Sequence, residues 1–329
     1  MYMSNSITLF SEISPYATHN IEVGSLHHIY VEECGNPQGF PVLFLHGGPG
    51  SGCNPAQRRF FDPSFYRIIL LDQRGCGRSQ PLGSVTENHT QALIADIEVI
   101  RQHLKIDRWL VFGGSWGSTL AICYAQTHPQ IISGLILRGI FLSRPNELNW
   151  FLGEIAHFYP DVWQTLTDYL PIEERDDVLA AYSKRIFSED ANVNIPAAIA
   201  WNAFETSIMK LIPIKNTAEP MLDQTQQEEM HRIEVARARV QIHYIQHLCF
   251  IDGEQVLKNC AALAHIPTTI VQGRYDMVCP PNTAWQLNQV MPHAEFIMVP
   301  DAGHSAMEPG VIAALVGATE KFKAQTLKS

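Results

Sequence analysis

The stretch VFGGSWGSTLA, residues 111–121, restricts the possible fold more than any other part of the chain. Its Ser115 follows an apolar run, stands between glycines, and precedes an apolar segment with helical character. A G-x-S-x-G pattern between a strand and a helix is typical of the nucleophile elbow, in which a tight bend projects the serine hydroxyl from the sheet edge. The N-terminus of the next helix then favours developing negative charge. Taken alone, the pattern also fits an ordinary glycine-rich turn.

Strand and helix patterns alternate over the first part of the chain. Residues 90–104 and the segment from Trp116 to Tyr124 have apolar residues at helical spacing, and Thr90 is the predicted N-cap of the first helix. Short apolar runs, typical of buried parallel strands, lie between them. These runs cover residues 28–32, 41–45, 67–71, 109–112 and 132–138. The alternation predicts an α/β fold with a doubly wound, mostly parallel sheet.

The pattern changes after Phe141, where helical periodicity replaces the alternation and includes one long helix over residues 228–250. Strand patterns return at residues 268–271 and 295–299, and a last helix follows Glu308. We therefore predict an α/β core of residues 1–140 and 265–329, interrupted by a helical cap over residues 141–264.

Composition narrows the functional classes. The chain has 329 residues, of which 46% are hydrophobic and 17% charged, so it can bury a sizeable core. Its net charge of -10 argues against nucleic-acid binding, which needs clustered Lys and Arg. We find no signal-peptide pattern and no apolar run of the roughly 18 residues that span a membrane. Seven cysteines without a CxxC pair indicate reduced thiols. We expect a cytoplasmic protein without membrane association.

Two later turns supply the partners that a serine nucleophile needs. Serine requires a base, and the base requires an orienting acid, in the chain order Ser, acid, His for this kind of elbow. Asp276 follows the strand pattern TTIVQG, and His304 follows EFIMVPDAG. We predict that Asp276 orients His304, which accepts the proton of Ser115. Asp301 is the alternative acid, but it lies too close to His304 in sequence to come from the preceding strand's loop.

The motif HGGPG, residues 46–50, follows another predicted strand. Its glycines allow backbone N–H groups to point into the site, where they stabilise an oxyanion. We expect the N–H groups of Gly48 and Trp116 to form the oxyanion hole, with Gly47 as the second choice for the loop donor.

Six segments taken together resemble the prolyl aminopeptidases, also called proline iminopeptidases, which are serine peptidases of the α/β-hydrolase fold. The segments are HGGPG, DQRGCGRS (72–79), GGSWGSTLA, RGIF (138–141), GRYD and AGHS. G-x-S-x-G alone is common to many hydrolases, whereas the ordered set is specific. The family removes N-terminal proline from peptides and needs no cofactor or metal, so the resemblance implies that this chain does likewise.

The resemblance also implies residues that bind the substrate amine. Ala200–Glu205 matches a tryptophan-rich family stretch that ends in a glutamate, so Glu205 is the first candidate for the amine. Gln241 stands where the family's second amine-binding glutamate is expected. An amide can accept a hydrogen bond but lacks the charge. A solvated surface glutamate is the alternative interpretation of Glu205.

Three further residues match family positions around the proline ring. Phe141 and Phe151 match aromatic positions of the family, although spacing alone would make them ordinary core residues. Cys279 matches a cysteine near the pocket, where thiol reagents would block the site by bulk.

Four other residues are interpreted as structural. His243 and His247 have an i, i+4 spacing that could bind a metal, but the HExxH glutamate and a third ligand are missing. Arg74 and Arg78 lie in a loop that lacks the P-loop lysine, so we expect them to fix that loop.

The leading hypothesis is an aminopeptidase that acts on short peptides with N-terminal proline. An esterase, an amidase or a broader aminopeptidase of the same fold is the alternative, which Gln241 favours. A non-catalytic binding protein is disfavoured by the complete triad. Dehalogenase and epoxide hydrolase activities use an aspartate nucleophile, and this elbow carries serine. The sequence leaves the oligomeric state open.

Overall fold

The structure is a computed structural model that describes residues 7–212 and 222–328. Within these residues, eight strands form one sheet in the order β1-β2-β4-β3-β5-β6-β7-β8. Strand β2 pairs antiparallel with β1 and β4, and all other pairs are parallel. The strands are β1 (Ala17–Val23), β2 (His27–Gly35), β3 (Phe40–Leu45), β4 (Tyr66–Leu71), β5 (Trp109–Gly114), β6 (Ile132–Arg138), β7 (Thr268–Gly273) and β8 (Glu295–Val299).

Ten α-helices lie among the described residues, and six of them, α3 to α8, come between β6 and β7. The helices are α1 (Thr90–His103), α2 (Trp116–Thr127), α3 (Pro145–Phe151), α4 (Pro160–Asp168), α5 (Val178–Ile186), α6 (Ala191–Ile208), α7 (Gln224–Gln246), α8 (Gly253–Asn259), α9 (Pro281–Val290) and α10 (Pro309–Thr326). None of the helices in the described part of the chain is long and apolar enough to cross a membrane. The seven cysteines all lie in that part and are free thiols.

The central strands are buried on both faces, which explains their continuous apolar runs. Every residue of β5 is buried. Alternate side chains of β3 enter two different hydrophobic clusters: Leu43 and Leu45 pack on one face, and Val42 and Phe44 on the other. The predicted mostly parallel α/β architecture is confirmed by this topology.

The helices between β6 and β7 have a hydrophobic cluster of their own. Its largest buried side chains include Tyr182, Trp201 and Phe204. Phe141, at the start of this segment, packs against both this cluster and a cluster of the sheet. Part of the segment, residues 213–221, falls outside the described residues.

The predicted boundaries of three helices differ from the structure, and α2 continues beyond Tyr124 to Thr127. The N-cap of α1 is His89, whose ring accepts a hydrogen bond from the Ala92 N–H, and not Thr90. Thr90 lies within the helix and donates its hydroxyl hydrogen bond to the Cys249 carbonyl instead. The sequence prediction was wrong because serine and threonine are much commoner N-caps than histidine.

The long helix α7 spans Gln224–Gln246 rather than residues 228–250. It begins earlier because Asp223 and Gln226 form a capping box. It ends earlier because Leu248, Cys249 and Phe250 all have positive φ angles. No glycine marks this end, so the boundary could not be seen in the sequence.

Strand β1 was not predicted. It alternates between exposed and less exposed residues at the edge of the sheet, and its segment ATHNIEV contains only two large apolar residues. The predicted positions of β6, β8 and the last helix coincide with the structure.

Candidate active site

Ser115 lies at the bend between β5 and α2. Its backbone has φ 58° and ψ -128°, a strained conformation for a residue with a side chain. The Ser115 N–H donates to the Arg138 carbonyl over 2.8 Å, which ties the bend to β6. The side chain caps no backbone group of α2 and lines a cavity instead. The geometry is that of a nucleophile elbow rather than an ordinary turn.

Asp276 and His304 lie together on the loops after β7 and β8. The His304 Nδ1 atom is 2.8 Å from the Asp276 Oδ2 atom, and both residues are buried. The other Asp276 oxygen accepts hydrogen bonds from the Val278 and Cys279 N–H groups. The carboxylate is therefore held by fixed donors, as an orienting group requires. Asp301, the alternative acid, is exposed.

The outer nitrogen of His304 contacts an arginine. Arg138 Nη1 lies 3.2 Å from His304 Nε2 and donates to the His304 carbonyl over 2.7 Å. Because a guanidinium only donates, Nε2 is the accepting nitrogen and the ring proton lies on Nδ1, toward Asp276. This is the tautomer of a general base. Burial lowers the pKa of the Arg138 guanidinium.

The predicted nucleophile Ser115 and the predicted base His304 are not in direct contact. Among the described residues, no hydrogen bond links the Ser115 hydroxyl to His304. Catalytic hydrogen bonds in ligand-free structures are often open and close in the substrate complex.

The HGGPG loop lies against the nucleophile. A Cβ atom placed on Gly47 would be 3.2 Å from the Ser115 Cβ, and Gly48 lines the cavity beside Ser115. The loop packs on α7, since a Cβ on Gly50 would be only 2.6 Å from the Arg237 carbonyl oxygen. Gly50 also has a φ of 106°. Only glycine fits this position.

Buried hydrogen bonds hold the loop and the elbow together. The Gln73 N–H donates to His46 Nε2 over 3.0 Å, so His46 Nδ1 carries the proton and donates to the Gly47 carbonyl. Burial lowers the pKa of the His46 imidazole. The Gln73 side chain also accepts from the indole N–H of Trp116 at 2.8 Å. The two predicted oxyanion donors therefore lie on segments that share one network.

The cavity above Ser115 brings together every predicted substrate-binding residue. Its lining includes residues of both the sheet edge and the helices between β6 and β7. The lining residues are Gly48, Pro49, Ser115, Phe141, Glu147, Leu148, Phe151, Glu205, Gln241, Ile245, Val278 and Cys279. His304 and Trp116 are not part of this lining.

Glu205 is buried and already has two partners. Its Oε2 atom is 2.5 Å from Arg237 Nη2, and its Oε1 atom accepts from Gln241 Nε2 over 3.0 Å. The Trp201 indole N–H donates to the other end of the Gln241 amide over 2.6 Å. Glu205 is therefore a structured residue of the cavity and not a solvated surface glutamate.

The aromatic residues Phe141 and Phe151 line the same cavity as Ser115 and Glu205. Phe151 packs edge-to-face on Phe204, with ring centroids 5.2 Å apart. Cys279 lines the same space. Burial raises the pKa of its thiol well above the usual value, although the neighbouring Ser115 hydroxyl acts in the opposite direction. A raised pKa favours the protonated thiol over the thiolate, which is the nucleophilic form.

Three residues near the site were assigned no role in the sequence analysis. Arg138 belongs to the quoted RGIF motif, so its position was visible although its contact with His304 was not. Glu147 lines the cavity and is held by Arg144 over 3.1 Å. Arg237 approaches Glu205 only because α6 and α7 pack together. No spacing rule in the sequence could have found this last pair.

The residues interpreted as structural have structural contacts. Arg74 forms a buried ion pair with Asp96, and Arg78 is bound to Asp72. His243 Nε2 lies 2.9 Å from the Asn88 carbonyl. His247 Nδ1 is 2.7 Å from the His243 carbonyl. Within the described ranges, no group of three or more His, Cys, Asp or Glu side chains could hold a metal ion.

Solved structures with a similar fold are hydrolases with low sequence identity. A putative lipase from Acinetobacter baumannii AYE has a TM-score of 0.62 at 14% identity, covering 95% of this chain and 91% of that one. An esterase from Exiguobacterium antarcticum has a TM-score of 0.58 at 19% identity, covering 95% and 98%. These similarities show the fold alone.

The sequence comparisons are more specific. Residues 41–311 match the family model of the alpha/beta hydrolase fold. A probable proline iminopeptidase of Leptolyngbya boryana is 49% identical over 96% of this chain and 97% of its own length. The proline iminopeptidase of Arabidopsis thaliana is 48% identical over 97% and 83%, and that of Xylella fastidiosa 47% over 96% and 99%. The chain therefore belongs to the proline iminopeptidase family, within the α/β-hydrolase fold.

Proposed function

We propose that the protein is a serine aminopeptidase that releases N-terminal proline from short peptides. The observation that carries this proposal is the cavity itself, whose lining combines Ser115, the aromatic rings of Phe141 and Phe151, and the buried carboxylate of Glu205. Such a lining suits a substrate with an apolar ring and an amine close to the carbonyl that Ser115 attacks. The curated relatives named proline iminopeptidase, at 47–49% identity, support the same substrate.

In the proposed mechanism, Ser115 attacks the carbonyl carbon of the N-terminal residue. His304 takes the hydroxyl proton on Nε2, while Asp276 holds the resulting imidazolium through Nδ1. The N–H groups of Gly48 and Trp116 stabilise the oxyanion, each contributing about 3 kcal/mol in the transition state. The tetrahedral intermediate then loses the peptide amine, which takes the proton from His304. Water, activated by His304, hydrolyses the acyl-enzyme and regenerates Ser115.

The reacting groups and the residues that select the substrate come from different segments of the sequence. We propose that residues 1–140 and 265–329 carry the reacting groups, and that the cap of residues 141–264 supplies the specificity. Phe141, Phe151, Glu205 and Gln241 come from the cap, whereas Cys279 belongs to the core loop after β7. The segment that binds the amine therefore differs from the segment that reacts.

A second candidate is an esterase, amidase or broader aminopeptidase. The observation that favours it is the state of Glu205, whose charge is already balanced by Arg237 while Gln241 adds none. A site with little net charge attracts an ammonium group only weakly, so binding depends less on a charged amine in the substrate.

The test is hydrolysis of prolyl-, alanyl- and N-acetylprolyl-arylamides and of a simple aryl ester, by the wild type and by Ser115→Ala. We expect the prolyl-arylamide to be preferred, acetylation to abolish its turnover, and Ser115→Ala to be inactive on all four substrates. Turnover of the ester alone, or equal turnover after acetylation, would instead support the second candidate.

A further inference from the structure

Both carboxylates that line the cavity are paired with an arginine. Glu147 is bound by Arg144, with side chains about 5% exposed. Glu205 is bound by Arg237 at 2.5 Å. The formal charge contributed by each pair is zero, so the cavity presents acceptors for hydrogen bonds without a net negative charge.

The orientation of Gln241 is fixed by chemistry. An indole N–H only donates, so the Gln241 atom 2.6 Å from Trp201 Nε1 must be its oxygen. The amide nitrogen then faces Glu205 Oε1 at 3.0 Å and the Gly48 carbonyl at 3.4 Å. A glutamate at position 241 could donate to neither of these oxygens. Gln241 thus serves as a donor to Glu205 and not as a second carboxylate.

The Arg237 side chain is held next to Glu205. Its Nε atom is buried and has no hydrogen-bond partner among the described residues. Its Nη2 atom holds the ion pair with Glu205. The Arg237 carbonyl oxygen packs against Gly50, so the backbone from which the side chain extends is fixed as well. The guanidinium therefore stays close to the amine-binding carboxylate.

A carboxylate offers about four acceptor positions, and Glu205 uses two of them for Arg237 and Gln241. The positions that remain can accept the N–H groups of a substrate amine. We propose that Arg237 is a specificity-determining residue, a fixed counter-ion that makes the amine end of the cavity neutral, so that Glu205 recognises the amine by hydrogen bonding without net charge attraction. This inference rests on the proposed function, because it concerns the same cavity.

The test measures ligand binding by calorimetry in a Ser115→Ala background at pH 6. The ligands are L-prolinamide and cyclopentanecarboxamide, which have similar rings but differ in the amine. At this pH the amine is protonated, since α-amino groups titrate near about 8. Arg237→Met should raise the affinity for L-prolinamide about tenfold, because Glu205 then has no fixed cation. It should leave the affinity for cyclopentanecarboxamide unchanged.

Three further variants separate charge from packing. Arg237→Lys keeps the cation and should give no gain. Gln241→Glu adds a carboxylate with Arg237 intact and should also strengthen L-prolinamide binding. Arg232→Met removes an exposed arginine of the same helix, paired with Glu229 outside the cavity, and should change neither ligand.

A loss of L-prolinamide affinity in Arg237→Met, or an equal change for both ligands, would show that Arg237 merely positions Glu205 or packs against it. If Arg237→Met does not fold, Gln241→Glu decides, and the absence of a gain there overturns the inference. The two proposals fail separately. A wild type that cleaves no prolyl-arylamide, combined with a gain in Arg237→Met, contradicts only the proposed function. Efficient prolyl cleavage without that gain contradicts only the role of Arg237.

Discussion

At the scale of single residues, the position of His304 depends on Gly139, because a side chain at this position would clash with the imidazole. Gly139 follows β6 with a φ of 57°, and a Cβ atom there would lie 3.0 Å from His304 Cε1 and 3.3 Å from Nδ1. Both the backbone and the imidazole therefore require glycine. The imidazole of His304 is held between this backbone, Asp276 and Arg138.

Gly139→Ala should displace the imidazole while the rest of the fold is retained. We expect kcat for prolyl-arylamide to fall about 100-fold, as a displacement of about 1 Å at a reacting group can cause. Gly153→Ala is the matched control, since a Cβ there would meet only the Asn149 carbonyl oxygen, at 3.6 Å. Steady-state kinetics and thermal melting of both variants check this. Full activity in Gly139→Ala would mean that His304 has room to shift.

The raised pKa of Cys279 gives a pH dependence. A thiol reacts with alkylating reagents as thiolate, and free cysteine reaches its maximal rate above about pH 8.5. Because burial raises the pKa of Cys279, inactivation by iodoacetamide should keep increasing beyond that pH. The inactivation rate from pH 7 to 10, with mass-spectrometric assignment of the modified residue, measures this. A rate that levels off near pH 7 would show an activated thiol.

The site residues that directly follow strands could be predicted from the sequence. The arginines that contact the site residues could not. Ser115, Asp276 and His304 each follow a parallel strand, and the carboxyl ends of such strands meet at one edge of a sheet. Their convergence follows from the order of elements in the sequence. Arg138 and Arg237 meet their partners through the packing of side chains from distant segments, which no local pattern contains.

At the scale of elements, the edge strand β1 pairs with β2 along its whole length, and one carboxylate of β2 adds side-chain contacts at the start of the pair. Glu33 on β2 accepts hydrogen bonds from Tyr16, His19 and Arg67. Burial alone would raise the pKa of Glu33, but these partners together hold it below its usual value. The Tyr16 pKa is raised to about 12 by burial and by the charge of Glu33. The sequence alternation in β1 was too weak to predict this strand, because only Ile21 and Val23 of its seven residues are large and apolar, and the backbone pairing with β2 leaves no local pattern in the sequence.

A carboxyl group whose pKa is lower in the folded state stabilises the fold above its unfolded pKa, and this contribution is lost as the pH falls through the folded value. The wild type should therefore lose stability below about pH 4.3, the ordinary value of a glutamate. Glu33→Gln should be less stable at pH 7 and should lose less between pH 5 and 3. Urea unfolding at these pH values, with the exposed Glu22→Gln as control, measures the difference. Parallel losses in all three proteins would contradict the role of Glu33.

At the scale of the whole molecule, a buried network joins α3, which follows β6, to α9, which follows β7. Arg144 binds Glu147 and also donates to Gln286 and Thr283 on α9. Thr283 in turn donates to Glu147 over 3.0 Å. Because Glu147 also lines the cavity beside Ser115, this junction ties part of the cavity wall to α9.

Arg144→Met should leave Glu147 buried without its cation. Removing one partner of a buried ion pair costs about 3 kcal/mol or more in the free energy of unfolding. Arg175→Met, which removes a largely exposed pair with Asp168, should cost less than about 1 kcal/mol. Chemical denaturation of the two variants tests this contrast. Equal small losses would mean that the remaining hydrogen bonds hold the junction without the charge.

The contact of α7 with the HGGPG loop has a consequence for the evolution of this enzyme. One helix supplies Arg237 and Gln241, which both bind Glu205. The backbone of the same helix packs on Gly50, and the Gln241 side-chain amide lies 3.4 Å from the Gly48 carbonyl. A mutation that moves α7 to admit a new N-terminal residue therefore also moves a loop that faces the nucleophile. Lineages that change their substrate would be expected to acquire paired substitutions in α7 and the loop, and single changes would pass through slower intermediates.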